Sequence, residues 1–160
     1  MLAFTHLTNN YGFTGDWYIN DIRDLEAGPS FQWFRHAFAP SNVFIDLADQ
    51  RYFPNGNYSP RQKLDFKLVG INDNAESVSG RVELLLLDSG NKTIKRIRYE
   101  ITIPAYGRKD VPVSLKLPSG KGGYLITTGF KPTDGQQILR SRRYIRIGDS
   151  EHNLFPVVKP

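Results

Sequence analysis

From Ser41 to about Ile147 the chain is written in a single grammar. Short stretches of alternating apolar and polar residues are broken by turn residues roughly every ten positions. Val43, Ile45 and Leu47 alternate with Phe44 and Asp46; Leu64, Phe66 and Leu68 alternate with Asp65 and Lys67. Val82, Leu84 and Leu86 follow, with Leu85 and Leu87 making the end of that stretch apolar on both faces. Ile97, Tyr99, Ile101 and Ile103 oppose Arg96, Arg98, Glu100 and Thr102, the pattern of a half-buried strand. Val111, Val113, Leu115 and Leu117 repeat it, and Pro112 among them predicts a sheet edge, since a central strand would miss its N–H. Tyr124, Ile126, Thr128 and Phe130 make a sixth strand, and the seventh runs from about Ile138 to Ile147. Between them lie the loop Phe53–Pro60, the turn Asn72-Asp73-Asn74, the hairpin signal Asp88-Ser89-Gly90-Asn91 and a Gly-rich turn at 120–123. Seven strands with no internal helix or repeat predict a mainly β fold: an immunoglobulin- or fibronectin-III-like antiparallel sandwich spanning about 41–148.

The stretch before Ser41 does not share this grammar. Pro29 to Ala39 reads as one short helix with proline in its first turn, stopped by Pro40. At about 100° per residue, Phe31, Trp33, Phe34, Ala37 and Phe38 fall within an arc of roughly 160°. Gln32, Arg35 and His36 take the other side. So wide an aromatic arc calls for a cover, either the sandwich itself or a neighbouring chain. Residues 1–27 have no period, although Asp21, Asp24 and Glu26 would suit the positive end of the helix. The tail 149–160 has none either.

Composition removes several classes of function. No apolar run approaches the ~20 residues of a membrane span, and the first residues lack the basic-then-apolar layout of a signal peptide. The absence of cysteine excludes disulfides, thiol catalysis and cysteine-held metals. The net charge of +5 is uneven. Residues 92–147 carry thirteen Lys and Arg against Glu100, Asp110 and Asp134, so an anionic partner must be weighed.

The motifs of chemistry are weak. His6, His36 and His152 stand in no nucleophile frame, and His36 reads as a polar-face residue of its helix. Asp73-Asn74-Ala75-Glu76 fails the spacing of a calcium loop, and Gly120-Lys121-Gly122-Gly123 lacks the first glycine and the hydroxyl of a phosphate loop. Asp21 with Asp24, and Asp46 with Asp49, are close in sequence but read as solvated acids rather than a glycosidase pair. No catalytic residue, metal site or cofactor is assigned. Lys95, Arg96, Arg98, Arg140, Arg142, Arg143 and Arg146 alternate with apolar residues, as the wet face of any sheet does. Without an interleaved Gly-aromatic signature they disfavour nucleic acid as partner. Trp17 and Tyr18 could act as platforms for sugar rings, whereas Trp33 is more simply a packing residue of its helix.

The succession FQWFRHAFAP, SNVFIDLADQRYFPNG, LDFKLVGINDNAESVSGRVELLLLDSGNKTI and GGYLITTGFKPTDGQQILRSRRYIRIG resembles the C-terminal part of glycoside hydrolase family 2 enzymes, relatives of β-galactosidase, β-glucuronidase and β-mannosidase. In that family the last helix of a (β/α)8 barrel closes on a basic-aromatic-Ala-Phe-Ala-Pro segment, here Arg35 to Pro40, and an immunoglobulin-like sandwich follows. The resemblance covers roughly residues 20–148, and no stretch here matches the family's catalytic glutamates.

It implies that residues 1–40 resemble the barrel's end, that 41–148 form the sandwich and that 149–160 are a tail. The function expected is that of a non-catalytic accessory domain supporting the barrel. Phe31, Trp33, Phe34 and Phe38 would pack between domains, and Trp17 and Tyr18 would border the sugar. The partner expected is the parent's catalytic barrel, with carbohydrate or a second copy through the aromatic helix as further partners, and no membrane. A bacterial periplasmic or secreted parent would suit the resemblance. A carbohydrate-binding module using exposed aromatics and a polyanion-binding module using the basic strands are the alternatives.

Overall fold

A computed structural model describes residues 28–50, 57–135 and 137–148. These fall into two units that meet in sequence between Ala39 and Pro40: one helix in the first, seven strands in the second.

The helix, α1 (Pro29–Ala37), starts from an extended Gly28 with Pro29 at its first position, where a missing N–H costs nothing. It ends when Phe38 N donates to Phe34 O at 2.9 Å, because Pro40 biases Ala39 away from helical angles. Phe34 and Phe38, one turn apart, stack in near-parallel planes with centroids 5.9 Å apart. One expectation changes here. His36, expected on the polar side, is only 4% exposed and meets the Trp33 ring edge-on at 5.8 Å. Phe38 is 62% exposed on this chain taken by itself, which leaves its expected cover to a neighbouring chain. Phe38 occupies the C-cap, at φ −101° and ψ 8°, and still stacks on Phe34 one turn back. Phe31, Trp33 and Phe34 are half-buried.

The strands are β1 (Ser41–Asp46), β2 (Lys63–Asn72), β3 (Val78–Leu87), β4 (Thr93–Ile103), β5 (Gly107–Lys116), β6 (Gly122–Pro132) and β7 (Leu139–Ile147). Two antiparallel sheets result, β1-β2-β5 and β4-β3-β6-β7. The alternation sorts itself between them: Val43, Ile45, Leu68, Leu84, Ile126 and Ile145 are among the residues with no exposure in the shared core. β5 is an edge strand, as Pro112 requires, with β2 its one partner. The fourth strand pairs with the third rather than joining the three-stranded sheet, giving a four-stranded sheet with β3 and β6 at its centre.

Turns follow their residues. Asp88 Oδ1 accepts from Gly90 N and Lys92 N, both at 3.0 Å, and Asn91 takes the left-handed conformation at φ 64°. The turn around Asp73-Asn74 is tied by buried Asn72, which donates to Glu76 O and Pro104 O and accepts from Asn74.

Polar side chains inside the sandwich close one of its sides. β1 pairs with β2 alone, and its other edge faces β6 and β7. There Thr128 Oγ1 donates to Val43 O at 3.2 Å, Ser141 Oγ accepts from Ile45 N at 3.4 Å, and Arg143 Nε donates to Leu47 O at 2.7 Å. These positions, two apart, are the ones whose backbone points away from β2. The outer edge of β7 is taken by the chain leaving β1. Gln50 N donates to Tyr144 O at 2.8 Å, Tyr58 N to Arg146 O at 2.9 Å, and Gly148 N to Tyr58 O at 2.8 Å. Gln50 Oε1 accepts from Arg146 N.

Arg143→Met should keep the packing volume and remove the charged donor to Leu47 O. Loss of a hydrogen bond from a charged group costs about 1–3 kcal/mol. Chemical denaturation should register it as a lower midpoint with unchanged slope; an unaltered midpoint would show that the contact stabilises nothing.

On the three-stranded sheet, hydrogen bonds from Arg108 (2.6 Å) and then Lys67 hold the Asp110 carboxyl below the usual carboxylate range. A carboxyl depressed in the folded state adds stability above its unfolded value of about 3.9. That stability disappears as pH falls through the folded value. Asp110→Asn should therefore flatten the fall in Tm below about pH 4 while leaving the slope near neutrality unchanged.

Candidate functional site: a cationic groove on the four-stranded sheet

The side chains of the four-stranded sheet that point away from the core form cross-strand rows, because antiparallel partners share a face. One row reads Glu100, Arg81, Lys131; the next Arg98, Glu83, Gly129, Arg140; the third Arg96, Leu85, Thr127, Arg142. A fourth holds Leu87, Leu125 and Tyr144, which cluster and are buried, and Arg146 lies beyond it. Among the described residues, seven cations therefore share this face with two carboxylates. The outward face of the other sheet is nearly balanced, with Lys63, Lys67, Arg108 and Lys116 against Asp46, Asp65 and Asp110.

Gly129 sits between Glu83 and Arg140 in the second row and supplies no side chain. A groove of about 220 Å³ opens over it, with Leu85, Thr127 and Ile138 as its apolar walls. Ile138 leans over the glycine, so an added Cβ would come within 3.0 Å of its Cγ2. Arg81, Lys131 and Arg140 give the groove its charge.

Both carboxylates of the face are engaged. Glu100 accepts from Arg81 Nε at 2.8 Å, which raises the arginine further above its usual range. Glu83 Oε1 takes Arg98 Nε at 3.0 Å and Arg96 Nε at 3.5 Å. Lys131 and Arg140 have no ion-pair partner among the described residues. The Arg142 guanidinium lies 5.8 Å from the centre of the Tyr144 ring.

Of the basic residues singled out in sequence, Arg96, Arg98, Arg140, Arg142 and Arg146 are brought onto this face. Arg143 is not: it points inward to Leu47 O. Lys95 pairs with inward-facing Leu86 beside a register shift. Phe31, Trp33, Phe34 and Phe38 lie on α1, while Trp17, Tyr18, His6 and His152 lie outside the described residues. Sequence reading missed Arg81, Glu83, Gly129, Lys131 and Ile138. Only the β4-β3-β6-β7 order makes them neighbours, and the available signal was a glycine within an apolar strand. Among the described residues no three His, Asp or Glu side chains gather as a metal site.

No protein-family model matches the chain, and no curated protein matches it. Solved structures align with it at low identity. A transglutaminase of red sea bream aligns at a TM-score of 0.51 and 10% identity, covering 71% of this chain and 17% of that one. The CARDB domain of a Pyrococcus furiosus protein, solved with di-metal ions, aligns at 0.49 and 11%, covering 68% and 87%. The C-terminal domain of Wzt aligns at 0.46 and 15%, covering 59% and 64%. With two facing antiparallel sheets of three and four strands, residues 41–147 are an immunoglobulin-like β-sandwich.

Proposed function

We propose that this chain is a non-catalytic accessory sandwich of a glycoside hydrolase resembling family 2, packed beside the parent's barrel. The observation that carries this reading is the joint. A nine-residue aromatic helix ends at Ala37, and the first strand of a seven-stranded sandwich begins at Ser41. This is the succession that the resemblance describes at a barrel's end. The stacked Phe34 and Phe38, the latter exposed, offer an apolar surface to such a neighbour.

Two measurements test it. The 160-residue chain should release no aryl alcohol from aryl β-glycosides above the blank, and turnover beyond contamination would sink the non-catalytic assignment. Genomic sequence in frame with residue 1 should encode a (β/α)8 barrel; a different upstream domain would remove the hydrolase.

A second reading, a polyanion-binding module, is favoured by the seven cations on one sheet face. It calls for retention on heparin that weakens as salt rises, since binding releases condensed counterions in proportion to the charges neutralised. Lys131→Glu with Arg140→Glu should move elution to lower salt and reduce the salt slope. Elution unmoved by the double change would count against this face.

A further inference from the structure

We propose that the groove over Gly129 binds a carboxylate-bearing sugar residue of an acidic glycan. This rests on the second reading above, that the four-stranded face takes anions, and adds a site and a ligand class to it. Two kinds of surface meet there. The walls are aliphatic: Leu85, Ile138 and the methyl group of Thr127 border a gap left by a glycine. The charge comes from Lys131 and Arg140, which have no ion-pair partner among the described residues, with Arg81 beside them.

Glu83 lies opposite Arg140 across Gly129, two strand spacings or about 9–10 Å away along the sheet. It is already held by Arg96 and Arg98, so it leaves Arg140 charged and available. Its carboxylate can still accept a hydrogen bond from a hydroxyl.

A ligand that complements this arrangement has an apolar ring face for the walls, one carboxylate for Lys131 and Arg140, and hydroxyls for Glu83. A uronic acid unit has all three. Its carboxylate can take a paired hydrogen bond from the planar guanidinium, which an inorganic cation site would not offer. Single-stranded nucleic acid is a poorer match, because its bases need aromatic platforms and none of the groove's lining residues is aromatic. A groove of about 220 Å³ is also smaller than most pockets for drug-sized ligands, and suits one ring at a time.

The test uses the full chain, α-linked trigalacturonate as probe and the matching neutral galactose trimer as control, with binding read by calorimetry and by the amide shifts of Thr127 and Gly129. Trigalacturonate should bind and shift both amides, and the neutral trimer should do neither. Lys131→Met with Arg140→Met should weaken binding about tenfold or more. Gly129→Val adds a strand-favouring side chain that fills the gap while leaving every cation in place. It should abolish trigalacturonate binding, while the cations outside the groove should still retain the chain on heparin.

Trigalacturonate binding that survives Gly129→Val in a folded protein would overturn the groove as the site. Absence of binding by the unmodified chain would overturn the ligand class. If heparin is retained in either case, the anionic-face reading stands without the groove; if heparin also runs through, both fail together. Should Gly129→Val lose its cooperative melting, the Lys131 and Arg140 change at the exposed rim decides the question, and unweakened binding there refutes the proposal.

Discussion

The sandwich depends on a contact in which side chains replace a missing strand. β1 has one hydrogen-bonded neighbour, and an unpaired edge inside a protein leaves donors and acceptors that cost more unmade than they return when made. Thr128, Ser141 and Arg143 project from the inner faces of β6 and β7 and pair with the backbone of Val43, Ile45 and Leu47. Thr128 and Ser141 are buried, so their hydroxyls would be a liability without these partners. The two sheets are thereby joined along one side. The chain leaving β1 then covers the outer edge of β7 through Gln50 and Tyr58. The remaining edges are blunted in the ways open sheets allow, β5 by Pro112 and β4 by a run of exposed charges.

That closure determines which surface is left for function. The inner faces are filled, and the β1/β7 side is sealed by side-chain bonds to the backbone of β1. The outer face of the four-stranded sheet retains a gap at Gly129 and an uncancelled positive charge. Charge of one sign on a sheet face lowers stability through self-repulsion, and its exposed pairs, Arg81 with Glu100 and Arg98 with Glu83, return little. The three-stranded sheet shows that this chain can also build a nearly neutral wet face, so solvation alone does not account for the excess on the other.

Much of the fold was legible because period-two alternation survives any topology. Inner-face residues from Val43 to Ile147 could be read strand by strand, and Pro112 announced its edge because a proline nitrogen has no proton to donate. The hairpin at Asp88–Asn91 was legible for a similar local reason. Cross-strand neighbours were not. Arg81, Glu83, Gly129 and Arg140 meet only through the order and register of three strands, information that no single segment carries. Arg143 misled for the same reason: it alternates like its neighbours, yet its face is inward and its partner is Leu47 O, 96 positions away. On α1 the helical wheel placed Phe38 beside Phe34 but put His36 on the wet side. Phe38 follows the dihedrals of a cap, and His36 is sheltered beside Trp33.

The joint at Ala39-Pro40 and the groove at Gly129 belong to different kinds of inference. The joint is a matter of connectivity, a helix running into a sandwich. The groove is a matter of chemistry, set by side chains of β3, β6 and β7 and by Ile138. An accessory domain that only buttressed a barrel would have no use for Lys131 and Arg140 as unneutralised cations beside an aliphatic gap, since neither contributes to the core or closes an edge. One that also met an acidic polymer would need such a feature on a face away from the sealed β1/β7 side. The observed groove lies on such a face, so the proposed supporting and anion-binding roles are compatible within one sandwich.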